Sequence, residues 1–195
     1  MSEDERVKRI MDAAYACFTR HGVRRTTMDD IAREAGMSRP AVYQYVRNKE
    51  DAFRRMAARL LDATLADAHL AAKSGAGLTG QLTAILQAKL DLALRVWRDS
   101  PAHAAELLGE DARLSAEHID TYNAAMRDLL VKAVATADTA MSRNEAAEFA
   151  DILLAFTRGL EADLSDPDAP TRRLGRGVAL LVAGLHPKSD HQESS

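Results

Sequence analysis

The chain has 195 residues, 47% hydrophobic and 28% charged, which is enough to bury a helical core of more than one layer. Its net charge of −3 hides a contrast: residues 1–60 carry 13 Lys and Arg against 9 Asp and Glu, residues 61–195 carry 13 against 20, and a basic module on an acidic body suits a protein that touches a polyanion with one end. No apolar run reaches the ~20 residues of a bilayer span, residues 1–9 are charged rather than signal-like, and one cysteine makes no internal disulfide, so a cytoplasmic protein without membrane partners is expected.

In chain order, a first helix is predicted from about Asp4 to His21. Its apolar side carries Val7, Ile10, Met11, Ala14, Cys17 and Phe18, and Gly22 stops it. Cys17 reads as a packing residue on that side. The Thr27 hydroxyl caps a second helix that opens at Met28, with Asp30 completing a capping box. Ile31, Ala32 and Ala35 give this helix a small apolar face, and Gly36 supplies the turn that ends it. Ser38 caps the next helix, where Pro40 fits the first turn because an N–H there has no intrahelical acceptor. Val42 and Val46, four apart, face inward, while Arg39, Ala41, Tyr43, Gln44 and Tyr45 include the outward positions. Two short helices around such a turn form a helix-turn-helix, and the first turns of its second helix lie against base edges in the major groove. Asn48 with Asp51 makes a further cap and places Lys49 at a helix N-terminus, where backbone N–H groups and the dipole attract a phosphate.

The span from Thr26 to Phe53 resembles the helix-turn-helix signature of the TetR family of bacterial transcriptional regulators. The resemblance is specific over about the first 60 residues and architectural beyond them. It implies an all-α protein of about nine helices. A three-helix DNA-binding domain would span 1–48, a linking helix 49–72, a ligand-binding and dimerisation domain 73–186, and a disordered tail 187–195. Carried over residue by residue, the family's DNA contacts fall on Thr27, Ser38, Arg39, Tyr43, Gln44, Tyr45 and Lys49, beside the outward Ala41. Two positions depart from the family pattern. Pro40 stands where many members have glycine, which removes a backbone N–H that could meet a phosphate, and Val46 stands where phenylalanine is commoner, a smaller core plug.

Beyond the head, helical periodicity continues and nothing alternates with the period of a strand. The fourth helix passes through Phe53, Met56, Leu60 and Leu65 to about Ala72. Gly75 to Gly80 spells a dinucleotide fingerprint but follows a helix and lacks a βαβ unit, so a loop is expected there. Leu82, Ile85, Leu86, Leu90, Ala93 and Trp97 mark a fifth helix from Leu78 to Trp97. Ser100-Pro101 reads as the cap and first turn of a sixth, which ends at Gly109. A seventh, from about Asp111 to Ala137, stacks Leu114, His118, Tyr122, Met126 and Leu130 at intervals of four, a core stripe by default. Its imidazole and phenol would suit a pocket, so His118, Tyr122 and Met126, with Trp97 and His103, are the candidate ligand-pocket residues. Lys89, Arg95, Arg98 and Arg127 are available to an acidic ligand, although periodicity puts most of them on solvated faces.

Ser142 with Glu145 caps an eighth helix bearing Phe149, Ile152, Leu153, Phe156 and Leu160. After a break at residues 166–170, a ninth carries Leu174, Val178, Leu181, Val182 and Leu185. The resemblance implies that these two helices form a dimer interface, through Phe149, Ile152, Leu153, Phe156, Leu174, Val178, Leu181 and Val182. Small residues such as Gly159, Gly175 and Gly177 allow the close approach this needs. An intramolecular core is the rival use of the same faces.

The six histidines never pair at metal-ligand spacing and no nucleophile elbow occurs, so neither an enzyme nor a cofactor is expected. The expected function is a ligand-responsive regulator, most simply a repressor, with a duplex operator, a small-molecule effector and a second copy of the chain as partners. The alternatives are a ligand-independent repressor and a helical protein-interaction module.

Overall fold

The computed structural model describes residues 2–73, 77–108, 111–137, 141–162, 164, 166 and 168–185. Among them the chain is all α-helical: α1 Glu3–Arg25, α2 Met28–Glu34, α3 Arg39–Tyr43, α4 Lys49–Ala71, α5 Gly77–Asp99, α6 Ala104–Leu108, a 3-10 turn Asp111–Ser115, α7 Ala116–Thr136, α8 Arg143–Glu161 and α9 Ala169–Ala183. Two compact units emerge. One comprises residues up to 66 with 91–125, the other 67–90 with residues from 126 onward. Among the described residues no helix is long and apolar enough to cross a membrane. The expected tail at 187–195 lies outside the described residues.

In the first unit, local capping chemistry sets the helix ends. Glu5 N–H donates to Ser2 Oγ and Ser2 N–H to a Glu5 carboxylate oxygen, at 3.2 and 2.6 Å, opening α1. Helical geometry breaks at Gly22, with φ 75° and ψ 158°, and one more turn follows to Arg25, so the expected stop is a kink rather than an end. Buried Thr26 closes that turn by donating its hydroxyl to the Gly22 and Cys17 carbonyls, at 2.8 and 3.2 Å. Ile10, Ala14, Phe18, Ile31, Val42 and Ala52 are fully buried, and the Phe18 and Phe53 rings meet edge-on with centroids 5.6 Å apart. Cys17 lies in this core, where burial pushes its thiol above the ordinary range.

The head core also takes in Val96 from the end of α5 and Ala104 and Leu107 from α6, with Trp97 packed against it half-buried. Two long-range hydrogen bonds fix that corner to α1: Tyr15 Oη to Asp99 Oδ2 at 2.6 Å and Ser100 Oγ to the Thr19 carbonyl at 2.7 Å. The expected cap at Ser100 is therefore corrected. Its hydroxyl serves α1, residues 101–103 form a turn, and α6 begins at Ala104, with the Ser100 carbonyl accepting from the Ala104 N–H at 2.8 Å.

In the second unit, Leu82, Ile85, Leu86 and Leu90 of α5, Met126, Leu130 and Val134 of α7, Leu153 of α8 and Leu174 and Val178 of α9 are fully buried. Lys89 pairs with Glu161 at 2.7 Å and Arg127 clamps Asp151 through two bonds of 2.6 and 2.8 Å. Both bases are thus paired within the chain, Lys89 largely covered and Arg127 at the surface. A Cβ on Gly177 would collide with the Phe156 ring, so α8 and α9 approach too closely there for any larger residue. The expected loop at residues 75–80 needs correction in part: residues 74–76 lie outside the described residues, but Gly77 to Gly80 form the first turn of α5.

Candidate nucleic-acid interface

The helix-turn-helix is built from α2 and α3. Thr27 and Asp30 close a reciprocal box, Asp30 N–H donating to Thr27 Oγ1 at 3.2 Å and Thr27 N–H to Asp30 Oδ2 at 3.0 Å. The Thr27 hydroxyl and N–H together hold the Asp30 carboxyl below the usual carboxylate range. After Glu34 the chain turns through Gly36 at φ 58°, and Met37 N–H returns to the Ala32 carbonyl at 2.9 Å. A side chain on Gly36 would be strained there and would also meet the Arg9 guanidinium. Ser38 Oγ then accepts from the Ala41 N–H at 3.3 Å and opens α3.

The second helix of the pair, α3, is short. It runs from Arg39 to Tyr43, opened by the Ser38 cap; Gln44 is its C-cap and Tyr45 lies in the following turn. Five residues cannot hold a helix alone, so α3 depends on Val42, the buried residue it inserts into the core, and on the fully covered Val46 just after it. Around that anchor Thr27, Ser38, Arg39, Pro40, Tyr43 and Gln44 are exposed, and Ala41, Tyr45 and Lys49 are half-buried. The structure thus brings all eight sequence-predicted contact residues to accessible positions around one short helix.

Several of these side chains are already held. Arg39 Nη1 pairs with Asp29 Oδ2 at 3.2 Å, its Nη2 donates to Tyr43 Oη at 3.3 Å, and its guanidinium carbon lies 5.5 Å from the Tyr43 ring centroid. Tyr45 Oη accepts from Arg6 at 3.2 Å, and Lys49 Nζ donates to the Arg24 carbonyl at 3.1 Å. Arg6, Arg24 and Asp29 were not among the sequence-predicted residues, since only the fold carries α1 and the start of α2 to this surface. At the start of α4, Asp51 N–H donates to Asn48 Oδ1 at 2.7 Å. The nearly buried Asp51 carboxylate accepts from the Arg47 N–H at 3.0 Å and pairs with Arg54 and Arg55, both at 3.3 Å. Burial alone would raise that carboxyl, but these donors and cations outweigh it and hold it low.

Residues 10–56 match the family model for bacterial regulatory proteins of the tetR family. The similarity to that family lies in this N-terminal segment. The chain is also 42% identical over 60 residues to YfiR, an uncharacterized HTH-type transcriptional regulator of Bacillus subtilis, a match spanning 31% of this chain and 29% of that protein. The whole fold is similar to the fatty acid degradation regulator FadR of Bacillus halodurans, with a TM-score of 0.73 and 16% identity over 95% of this chain and 99% of that one. It is also similar to FadR of Bacillus subtilis in complex with stearoyl-CoA, with a TM-score of 0.66 and 16% identity over 92% and 99%.

The other predicted residues scatter. His118 and Tyr122 of α7 line a cleft of about 230 Å3 with Ala58, Leu61, Asp62 and Leu65 of α4 and Glu117 and Thr121 of α7. Tyr122 is buried and His118 exposed. Trp97 and His103 do not line this cleft, Trp97 because it packs on the head core, and Met126 is fully buried. Of the eight predicted dimer-interface residues, Leu153, Leu174 and Val178 are fully covered within one chain and Phe149 and Val182 nearly so. These five are corrected to intramolecular core. Ile152 is 51% exposed, and Phe156 and Leu181 are half-buried.

Proposed function

We propose that this chain is a DNA-binding transcriptional regulator that acts as a homodimer. Two copies of α3 would enter successive major grooves, about 34–36 Å apart along a near-palindromic operator. The observation carrying this reading is the exposed row of Ser38, Arg39, Tyr43 and Gln44 on a helix whose Val42 is fully buried, a reading surface on a rigid anchor. An occupied operator would block transcription, making repression the simplest outcome. Outward Ile152, Ala155 and Gly159 on α8 and Leu180 and Ala183 on α9 form the apolar face that supports pairing with a second copy. We assign the effector to the cleft between α4 and α7, whose floor of Ala58, Leu61, Leu65 and Tyr122 is apolar and whose rim is polar. α4 is continuous from Lys49 to Ala71, so a ligand prying at residues 58–65 acts on the same helix whose first residue meets a phosphate. A coupling of ~1–3 kcal/mol would change operator affinity roughly 5–150-fold.

At about 230 Å3 the cleft is smaller than the ~300–1,000 Å3 of ordinary ligand pockets, which favours a second reading, a repressor that needs no ligand. One experiment separates the readings: gel shift on duplexes selected from a random pool, across a salt series, with and without a ligand library. Specific salt-sensitive binding released by a compound supports the first, binding released by nothing the second. Affinity no greater than for random duplex would leave a helical protein-interaction module. Lys49→Ala should weaken all duplexes about equally and flatten the salt slope by ~1, whereas Gln44→Ala should relax preference at particular bases.

A further inference from the structure

We propose that Asp29 is a positioning residue for base readout: together with Tyr43 it holds the Arg39 guanidinium as a plate presented from the recognition helix, set to meet a guanine. This rests on the DNA-binding reading above. Arg39 and Asp29 sit on different helices, with side chains 55% and 54% exposed, and meet at 3.2 Å across the turn. An exposed pair of this kind adds little to stability, because water competes for both groups and two side chains lose rotamer freedom. It also sets a carboxylate on a surface that, in this reading, faces phosphates. The neighbouring acid, Asp30, is consumed by the Thr27 cap and an ion pair with Arg33 at 3.3 Å, whereas Asp29 is directed at Arg39.

What the pair supplies is orientation. A free arginine samples many rotamers, and ordering it on DNA would weaken binding. Here the ring of Tyr43 and its hydroxyl, at 3.3 Å from Nη2, support one side of the guanidinium, while Asp29 restrains Nη1 from the other helix. Those two bonds use two of the five N–H donors and leave three, including Nε–H, enough for a bidentate contact to guanine O6 and N7. Such a contact discriminates between bases by roughly 5- to 150-fold, provided the fork is held in place.

The test is selection from a randomised duplex pool by full-length wild type, Asp29→Asn, Asp29→Glu, Arg39→Ala and the Asp29→Asn/Arg39→Ala double variant, with thermal midpoints measured alongside. Enrichment of a motif by wild type is the control for the DNA-binding reading; a wild type that enriches none removes that reading and the inference together. The expected result is that Asp29→Asn loses discrimination several-fold at the same half-site positions as Arg39→Ala. The double variant should be no worse than Arg39→Ala, Asp29→Glu should recover preference, and the Asp29→Asn midpoint should stay near wild type. Affinity of Asp29→Asn for random duplex should rise, since a negative charge has gone. The proposal is overturned if Asp29→Asn keeps wild-type preference at those positions, if Arg39→Ala changes no base preference, or if Asp29→Asn loses preference everywhere as its midpoint falls.

Discussion

Tyr15→Phe deletes one hydroxyl and leaves the ring in place, so it isolates the 2.6 Å bond from α1 to Asp99 at the end of α5. A hydrogen bond to a charged acceptor is worth about 1.5–3 kcal/mol when both partners are desolvated. Asp99 is exposed, so its released carboxylate rehydrates at little cost, and the loss should fall to about 1 kcal/mol. In a chain of this length that lowers a thermal midpoint by about 2–4 °C. Burial, and then the bond and charge of Asp99, push the Tyr15 phenol above its ordinary value of about 10. A group whose folded pKa is raised contributes stability that is complete below the unfolded value and is lost as pH climbs above it. Wild type should therefore lose stability above about pH 10 more steeply than Tyr15→Phe, and the two should converge. Urea unfolding followed by circular dichroism from pH 7 to 11 reads both effects. Equal midpoints at neutral pH together with parallel alkaline profiles would refute the reasoning, because the bond would then contribute nothing.

Two further changes probe the head. Val42→Ala removes two methyl groups from the buried anchor of α3 and should cost about 2 kcal/mol, with Val42→Thr similar because its hydroxyl enters an apolar site. Urea midpoints check this, and a Val42→Thr variant as stable as wild type would show that the anchor is not dry. Asp51→Asn keeps the shape but removes the charge that Arg54 and Arg55 share, for an expected loss of about 1–2 kcal/mol at neutral pH. The folded pKa of Asp51 is depressed, so its contribution is present above about pH 4 and disappears as pH falls through the lower folded value. An acid titration of stability should show this slope in wild type and a shallower one in Asp51→Asn.

Local chemistry made much of this protein legible in advance. The Thr27 and Asp30 box, the Ser38 cap, the Gly36 turn and the Ser142 and Glu145 box all appear at the residues their spacing specifies, because each needs only groups three or four positions apart. The exposed residues around α3 were readable for the same reason. Arg39 and Tyr43 lie one turn apart, so their pairing too is built into the helix. Tertiary structure decided what separates in sequence but meets in space. Tyr15 reaches Asp99 across 84 positions and Ser100 reaches Thr19 across 81, which turns an apparent helix cap into a tie on α1. Trp97 has an apolar spacing that serves a pocket or a core equally well, and only the packing of the last turns of α5 within the first unit gave it to the core. Leu153, Leu174 and Val178 had the periodicity of an interface, yet the chain covers them itself, while Ile152 and Leu180 are left outward. Hydrophobic spacing encodes that a face must be buried; which surface buries it is fixed by the arrangement of helices, which no local pattern contains.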